Sequence, residues 1–187
     1  MKKIYIVIPA FIITFLFISC LGKGKNEDYR TESALDLYQL EVPKYMTATS
    51  GLNQDASMQF QNIYKETYLA VIEEPKQDFI DTFKEIEDYD DSKSPAKNYE
   101  TIQMNFFTDG MKVNRMGEPQ NIKINGLDAQ QVEFVGRVPD IDFDIFYLMT
   151  FIEGKETLYM MMTWTLSANE NTYKETFKHM AESFEEL

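Results

Sequence analysis

Two stretches of this chain are apolar on both faces at strand periodicity, and their need for cover on two sides restricts the possible folds more than any other feature. In Thr67 to Glu73, the side chains of Tyr68, Ala70 and Ile72 point one way, and those of Leu69 and Val71 point the other. Further on, Leu158, Met160, Met162, Trp164 and Leu166 share one face, with Tyr159 and Met161 on the opposite one. Successive side chains of a strand alternate between faces, so such strands belong in the middle of a sheet that is covered twice. Three layers follow.

The other elements fit that frame. Leu35 to Val42 is strand-like and stops at Pro43, and Met58 to Ile63 is a second candidate, with Met58, Phe60 and Asn62 on one face. Gln120 to Ile124 runs into Asn125-Gly126, a two-residue hairpin signature because both residues tolerate positive φ. Val132 and Phe134 continue the next strand to Gly136. Ile141, Phe143, Ile145, Tyr147, Met149 and Phe151 alternate over one long strand, and Gly154-Lys155 turns it back. Pro75 opens a first helix with the stripe Phe79, Phe83, Ile86. Ser94-Pro95 caps a second, with Tyr99, Ile102 and Phe106, and Asp109-Gly110 ends it. Asn169 or Asn171 starts a third, with Tyr173, Phe177, Met180, Ala181 and Phe184. The expectation is an α+β fold: an α/β/α sandwich whose central, mainly antiparallel sheet has about seven strands and is flanked by three helices.

The N-terminus indicates location. Lys2 and Lys3 precede an apolar run from Ile4 to Ile18, too short to span a bilayer comfortably. Leu16-Phe17-Ile18-Ser19-Cys20 resembles a bacterial lipobox, departing from it at bulky Phe17 and Ile18. The resemblance implies a signal peptide over residues 1–19 and a lipidated Cys20 as the first mature residue. An ordinary secretory cut would instead leave this sole cysteine as a lone reactive thiol. Residues 20–33 are polar and read as a tether, and residues 34–187 as one globular domain. Asp after the cysteine often keeps such lipoproteins on the inner membrane. Leu21 stands there instead, which implies the outer membrane, periplasm-facing, in a host with two membranes.

Composition limits the partners. The chain carries 18 Lys and Arg against 31 Asp and Glu, a formal charge of −13. Loss of residues 1–19 removes two lysines and no acid, so the remainder is at −15. Nucleic acid and anionic lipid would repel that charge, so membrane attachment falls to the lipid. With Cys20 lipidated no free thiol remains, so a disulfide and a Cys-His pair are out of reach, and a single histidine cannot supply the usual nitrogen and sulfur zinc ligands.

Leu40-Glu41-Val42-Pro43-Lys44-Tyr45-Met46, Tyr68 to Glu74, Ile124-Asn125-Gly126-Leu127-Asp128-Ala129 and Phe177 to Phe184 occur in an order that resembles small envelope lipoproteins related to PsbP and DcrB. That resemblance covers about residues 34–187 and rests on element order and hydrophobic pattern. It implies an α/β/α sandwich and a non-enzymatic accessory or binding role, and it transfers no functional residue.

Other clusters are better explained by structure than by chemistry. Asp140, Asp142 and Asp144 could offer oxygen ligands to calcium, but the EF-hand pattern fails at Ile145 and Phe151. Alternation with Ile141, Phe143 and Ile145 reads as the solvated face of a strand end. Glu73-Glu74 and Asp88, Asp90 and Asp91 could pair carboxylates for an envelope hydrolase using acidic residues, with or without calcium, the alternative function. They read equally as helix-start charge and a solvated turn. His179 falls beside the last helix's stripe, with no activated-serine motif to serve. Met160-Met161-Met162 and Trp164 read as core. The expected function is a lipid-anchored envelope binding or accessory protein, with an envelope protein or small ligand as partner and no catalytic, cofactor or metal residue. An apolar groove is the binding feature to look for.

Overall fold

The computed structural model describes residues 28–187. Cys20, the expected signal peptide and most of the expected tether lie outside the described residues. The described elements are, in order, strands β1 (Tyr29–Ala34), β2 (Tyr38–Pro43), β3 (Thr47–Ala48), β4 (Met58–Asn62) and β5 (Thr67–Pro75); helices α1 (Lys76–Glu85) and α2 (Pro95–Thr108); strands β6 (Lys112–Met116), β7 (Gln120–Ile124), β8 (Leu127–Arg137), β9 (Ile145–Glu153) and β10 (Thr157–Leu166); helix α3 (Glu170–Glu182); and β11 (Glu185–Glu186).

The fold is α+β, as the periodicities require. Eight strands form one antiparallel sheet in the order β3-β4-β5-β10-β9-β8-β6, with β7 also paired to β8. Its centre is β9, buried from Ile145 through Ile152. The two apolar faces of the central strands separate as expected. Ala70, Met149, Phe151, Leu158, Met160 and Met162 pack toward Phe79 and Phe83 of α1 and Tyr99 and Ile102 of α2. Leu69, Val71, Phe146, Leu148, Tyr159 and Met161 pack toward Phe177, Met180 and Ala181 of α3.

The second face is not covered by α3 alone. A three-stranded sheet, β1-β2-β11, completes that layer, and Tyr38, Leu40 and Val42 of β2 enter its core. This corrects two expectations. The fold begins before Ala34, because Tyr29–Ala34 pairs along its whole length with β2. The single expected strand from Leu35 is a hairpin instead, with Leu35 and Asp36 turning at φ 55° and 54°. The expected long strand from Ile141 also starts late, at Ile145: residues 138–144 are a loop, and Phe143 is exposed.

Local signals hold where they are local. Asn125 and Gly126 take φ 47° and 89° in the β7–β8 turn. Ser94 Oγ accepts from Lys97 N at 3.2 Å, and Pro95 fills the first turn of α2. Asn169 occupies the cap position of α3 without a side-chain hydrogen bond, the chain entering instead through a 3₁₀ turn, Ser167–Asn169. Two stripes end differently from expectation. Ile86 lies beyond α1 and is exposed, and Phe106 turns outward toward Phe83, 6.1 Å between ring centroids, while its neighbour Phe107 turns to the sheet.

The C-terminus is latched to the β9–β10 turn. Glu186 accepts from Lys155 N at 3.0 and 3.1 Å and from the Tyr159 hydroxyl at 3.3 Å. Leu187 N donates to Leu37 O at 2.9 Å. A Cβ at Gly154 would stand 2.1 Å from Glu186 Oε1 and 2.9 Å from Thr157 O. Gly154→Ala is therefore expected to lower unfolding free energy by about 1–3 kcal/mol in urea titration, the range for overpacking. Glu186→Ala in the same chain should recover part of that loss, and simple additivity of the two substitutions would refute the latch.

Candidate functional site

Antiparallel register builds the site. Phe134 of β8 is paired with Tyr147 of β9, Tyr147 with Trp164 of β10, and Trp164 with Tyr68 of β5. Four aromatic side chains thus form one cross-strand row on the face covered by α1 and α2. Phe134 and Tyr147 stack at 4.7 Å and 11°, Tyr147 and Trp164 lie 6.4 Å apart at 30°, and Trp164 and Tyr68 stack at 5.3 Å and 13°. Direct cross-strand aromatic pairs contribute roughly 0.2–1 kcal/mol each.

The helix layer covers this row unevenly. Phe107, in the last turn of α2, meets Phe134 and Tyr147 edge-on at 6.0 and 5.4 Å. Those two rings are buried, whereas Trp164 and Tyr68 remain half-buried. Between them opens a groove of about 270 Å³, lined by Leu52, Asn53, Phe107, Val138, Ile141, Ile145, Tyr147, Met162 and Trp164. Trp164, expected in the core, is half-buried and forms part of its wall. The lining holds no carboxylate, ammonium, imidazole or thiol. Burial pushes the Tyr147 phenol up to about 12, which leaves it a proton donor and a poor base at neutral pH. Such a surface can accept a flat or branched apolar group.

The candidate carboxylates do not converge. Glu73 and Glu74 leave β5 on opposite faces: Glu73 accepts from Ser57 Oγ, which also meets the Tyr38 hydroxyl at 2.7 Å, whereas Glu74 accepts from Gln103 at 3.2 Å beside the buried Tyr99 hydroxyl. Burial raises the Glu74 carboxyl against the lowering effect of its hydrogen-bond donors. Asp90 is held at about 2 by Ser92 and Lys93, and Asp91 pairs with Lys84 at 2.5 Å. Asp140, Asp142 and Asp144 lie in the β8–β9 loop rather than on a strand. The Arg137 guanidinium, 2.8 Å away, holds Asp144 below the usual carboxylate range. Among the described residues no three His, Cys, Asp or Glu side chains come together to hold a metal ion. His179 sits on the flank of α3, bonded to Glu41 at 2.5 Å and tilted against Tyr29 at 4.1 Å. A larger hollow of about 480 Å³ lies at the other end of the sheet, bordered by Asn125, Leu127, Lys155, Glu185 and Glu186. Glu186 there is already engaged by Lys155 and Tyr159.

The sequence showed the strands but not the row. Register was the missing quantity: Glu153 stands opposite Leu158, which sets Tyr147 opposite Trp164, whereas the expected two-residue turn at Gly154-Lys155 would have set it opposite Met162. Leu52, Val138 and Ile141 come from loops and carry no periodic signal.

No protein-family model matches the chain, and no curated protein matches it. Among solved structures, cyanobacterial PsbP (CyanoP) from Synechocystis superposes with a TM-score of 0.57 at 17% identity, over 90% of this chain and 98% of that one. The fold is therefore PsbP-like. The Ran-binding protein Mog1p of Saccharomyces cerevisiae gives a TM-score of 0.49 at 9% identity, over 85% and 95% of the two chains. LpqN of Mycobacterium tuberculosis, described as involved in cell envelope biogenesis, gives 0.49 at 8%, over 88% and 87%.

Two measurements follow from the site and its buried phenols. Trp164 is the only tryptophan, so an apolar naphthylamine dye seated in the groove should quench its emission by energy transfer. Leu52→Glu should abolish that quenching with the circular dichroism spectrum intact. Unchanged Trp164 emission at saturating dye would show that the groove does not open. Burial also lifts the Tyr159 phenol to about 12 and raises those of Tyr38 and Tyr99. An unfolded chain loses its phenolic protons near pH 10, while the folded chain keeps those of Tyr147 and Tyr159 to about 12. Stability is thus expected to fall as pH rises through that window, with phenolate absorbance appearing together with loss of ellipticity. Ionisation of these phenols in a fully folded chain would contradict it.

Proposed function

We propose that this chain is a lipid-anchored accessory or binding protein of a bacterial envelope, of the PsbP/DcrB kind, that works without catalysis. The observation that carries the reading is the aromatic groove: a walled apolar surface whose lining holds no carboxylate, ammonium, imidazole or thiol. Its role is to receive an apolar group of a small ligand or of an envelope protein. The anchoring part rests on the lipobox-like Leu16 to Cys20. Among the described residues no helix is long and apolar enough to cross a membrane, which fits attachment by Cys20. In a host with two membranes, Leu21 favours the outer one, with the domain in the periplasm. The hydrolase alternative lacks its chemical core, because Glu73 and Glu74 diverge to opposite faces of β5.

The test is a crosslinking purification from native membranes, with intact-mass analysis of the N-terminus. Wild type is expected to carry a diacylglyceryl group on Cys20, and Cys20→Ala to leave the membrane fraction. Leu52→Glu is expected to stay anchored and lose its crosslinked partner or bound ligand. An unmodified Cys20 refutes the anchor, and partner or ligand capture indifferent to Leu52→Glu refutes the groove.

A further inference from the structure

Turns between strands normally draw on Gly, Asn, Asp and other small polar residues. The turn between β4 and β5 instead carries Ile63 and Tyr64, 59% and 93% exposed, followed by Lys65. It is a fixed turn. Asn62 Oδ1 accepts from Tyr64 N at 3.1 Å and from Lys65 N at 2.8 Å, and Glu66 closes the reversal at φ 53°. Single exposed apolar side chains are ordinary on protein surfaces. Two adjacent ones held outward at a rigid tip need a partner.

The chain's point of entry identifies that partner. Asp28 O accepts from Lys44 N at 2.7 Å, and the Arg30 guanidinium bonds Pro43 O and Met46 O at 3.3 and 2.9 Å. Between Lys44 and Met46, Tyr45 gives its carbonyl to Asn62 Nδ2 at 2.7 Å, and its ring lies 4.7 Å below Lys65 Nζ. The segment that receives the incoming chain therefore also braces the Ile63–Tyr64 tip. Only residues 21–27 separate Asp28 from Cys20, a reach of about 28 Å at full extension.

We propose that Ile63 and Tyr64 insert into the headgroup region of the bilayer that holds Cys20, docking the domain with its β4–β5 end against the lipid. The inference rests on the lipid-anchor reading above. Tyrosine and aliphatic side chains favour the membrane–water interface, and Lys65 and Lys44 extend their ammonium groups to the headgroups beside them. With Asp28 paired to Lys44, Glu66 in the turn itself and a net charge of −15 once residues 1–19 are removed, attraction to anionic lipid is not the driving term. Burial of the apolar tip is. The opposite end of the sheet, with Lys155, Glu156, Glu185 and Glu186, faces away from the membrane. Thr67 pairs with Asn62 at the base of the tip, and the next residue, Tyr68, stacks on Trp164. Docking therefore holds the Trp164 wall of the groove at the lipid end of the domain.

The full-length lipidated chain in vesicles of phosphatidylethanolamine and phosphatidylglycerol provides the test. Lipidation blocks the thiol of Cys20, so Tyr64→Cys and Lys155→Cys each offer one site for an environment-sensitive nitrobenzoxadiazole label. Label at position 64 is expected to shift to the blue and lose emission to a lipid-borne nitroxide, while label at 155 stays water-like. Water-like emission at both positions, with the lipid on Cys20 confirmed by mass, overturns the docking and leaves the anchor standing. A free Cys20 thiol overturns the anchor and the docking together.

Discussion

Strand β9 sets the terms for the rest of the molecule. From Ile145 to Ile152 every residue is buried, so side chains on both faces need apolar cover. Full burial of each large side chain is worth roughly 1.5–3 kcal/mol, and a bare face would forfeit that along its length. One face is covered by α1 and α2. The other takes α3 together with a small sheet whose strands come from both chain ends. The three-layer fold is the solution to this one strand's two-sided demand.

The same arrangement produces the groove. Antiparallel register carries Phe134, Tyr147, Trp164 and Tyr68 across four strands, a row wider than the end of α2 can cover. Phe107 closes over the first two rings and leaves the last two at the rim. A binding surface follows from incomplete cover of an otherwise buried sheet, with no departure from ordinary packing. Its chemistry is set by the core-facing alternation from which it derives, which is why it is aromatic and aliphatic throughout.

The chain's acidity contributes differently. Its carboxylates are dispersed into separate partnerships, such as Asp91 with Lys84, Asp128 with Lys123 and Glu170 with Arg115. Exposed pairs of this kind contribute little each, because solvent screens them. Where acids adjoin in sequence, as at Glu73 and Glu74, strand alternation drives them apart rather than together.

What the sequence determined by itself was whatever repeats over a few residues. The two-faced strands, the Asn125-Gly126 turn, the Ser94-Pro95 helix start and the stripe through Phe177 and Met180 were all legible, because period and turn chemistry are local. Helix ends and loop-borne positions were less so: Phe106 and Phe107 are both apolar, and only the sheet beneath decides which one turns inward. The tertiary structure alone decided that Tyr29–Ala34 belongs to the fold, since its sheet is completed by Glu185 and Glu186 pairing with Gln39 and Tyr38. It alone brought Leu52, Phe107, Ile141 and Trp164 to one groove. These meetings join residues far apart in the chain, and they depend on strand register and layer geometry, which no short window of sequence contains.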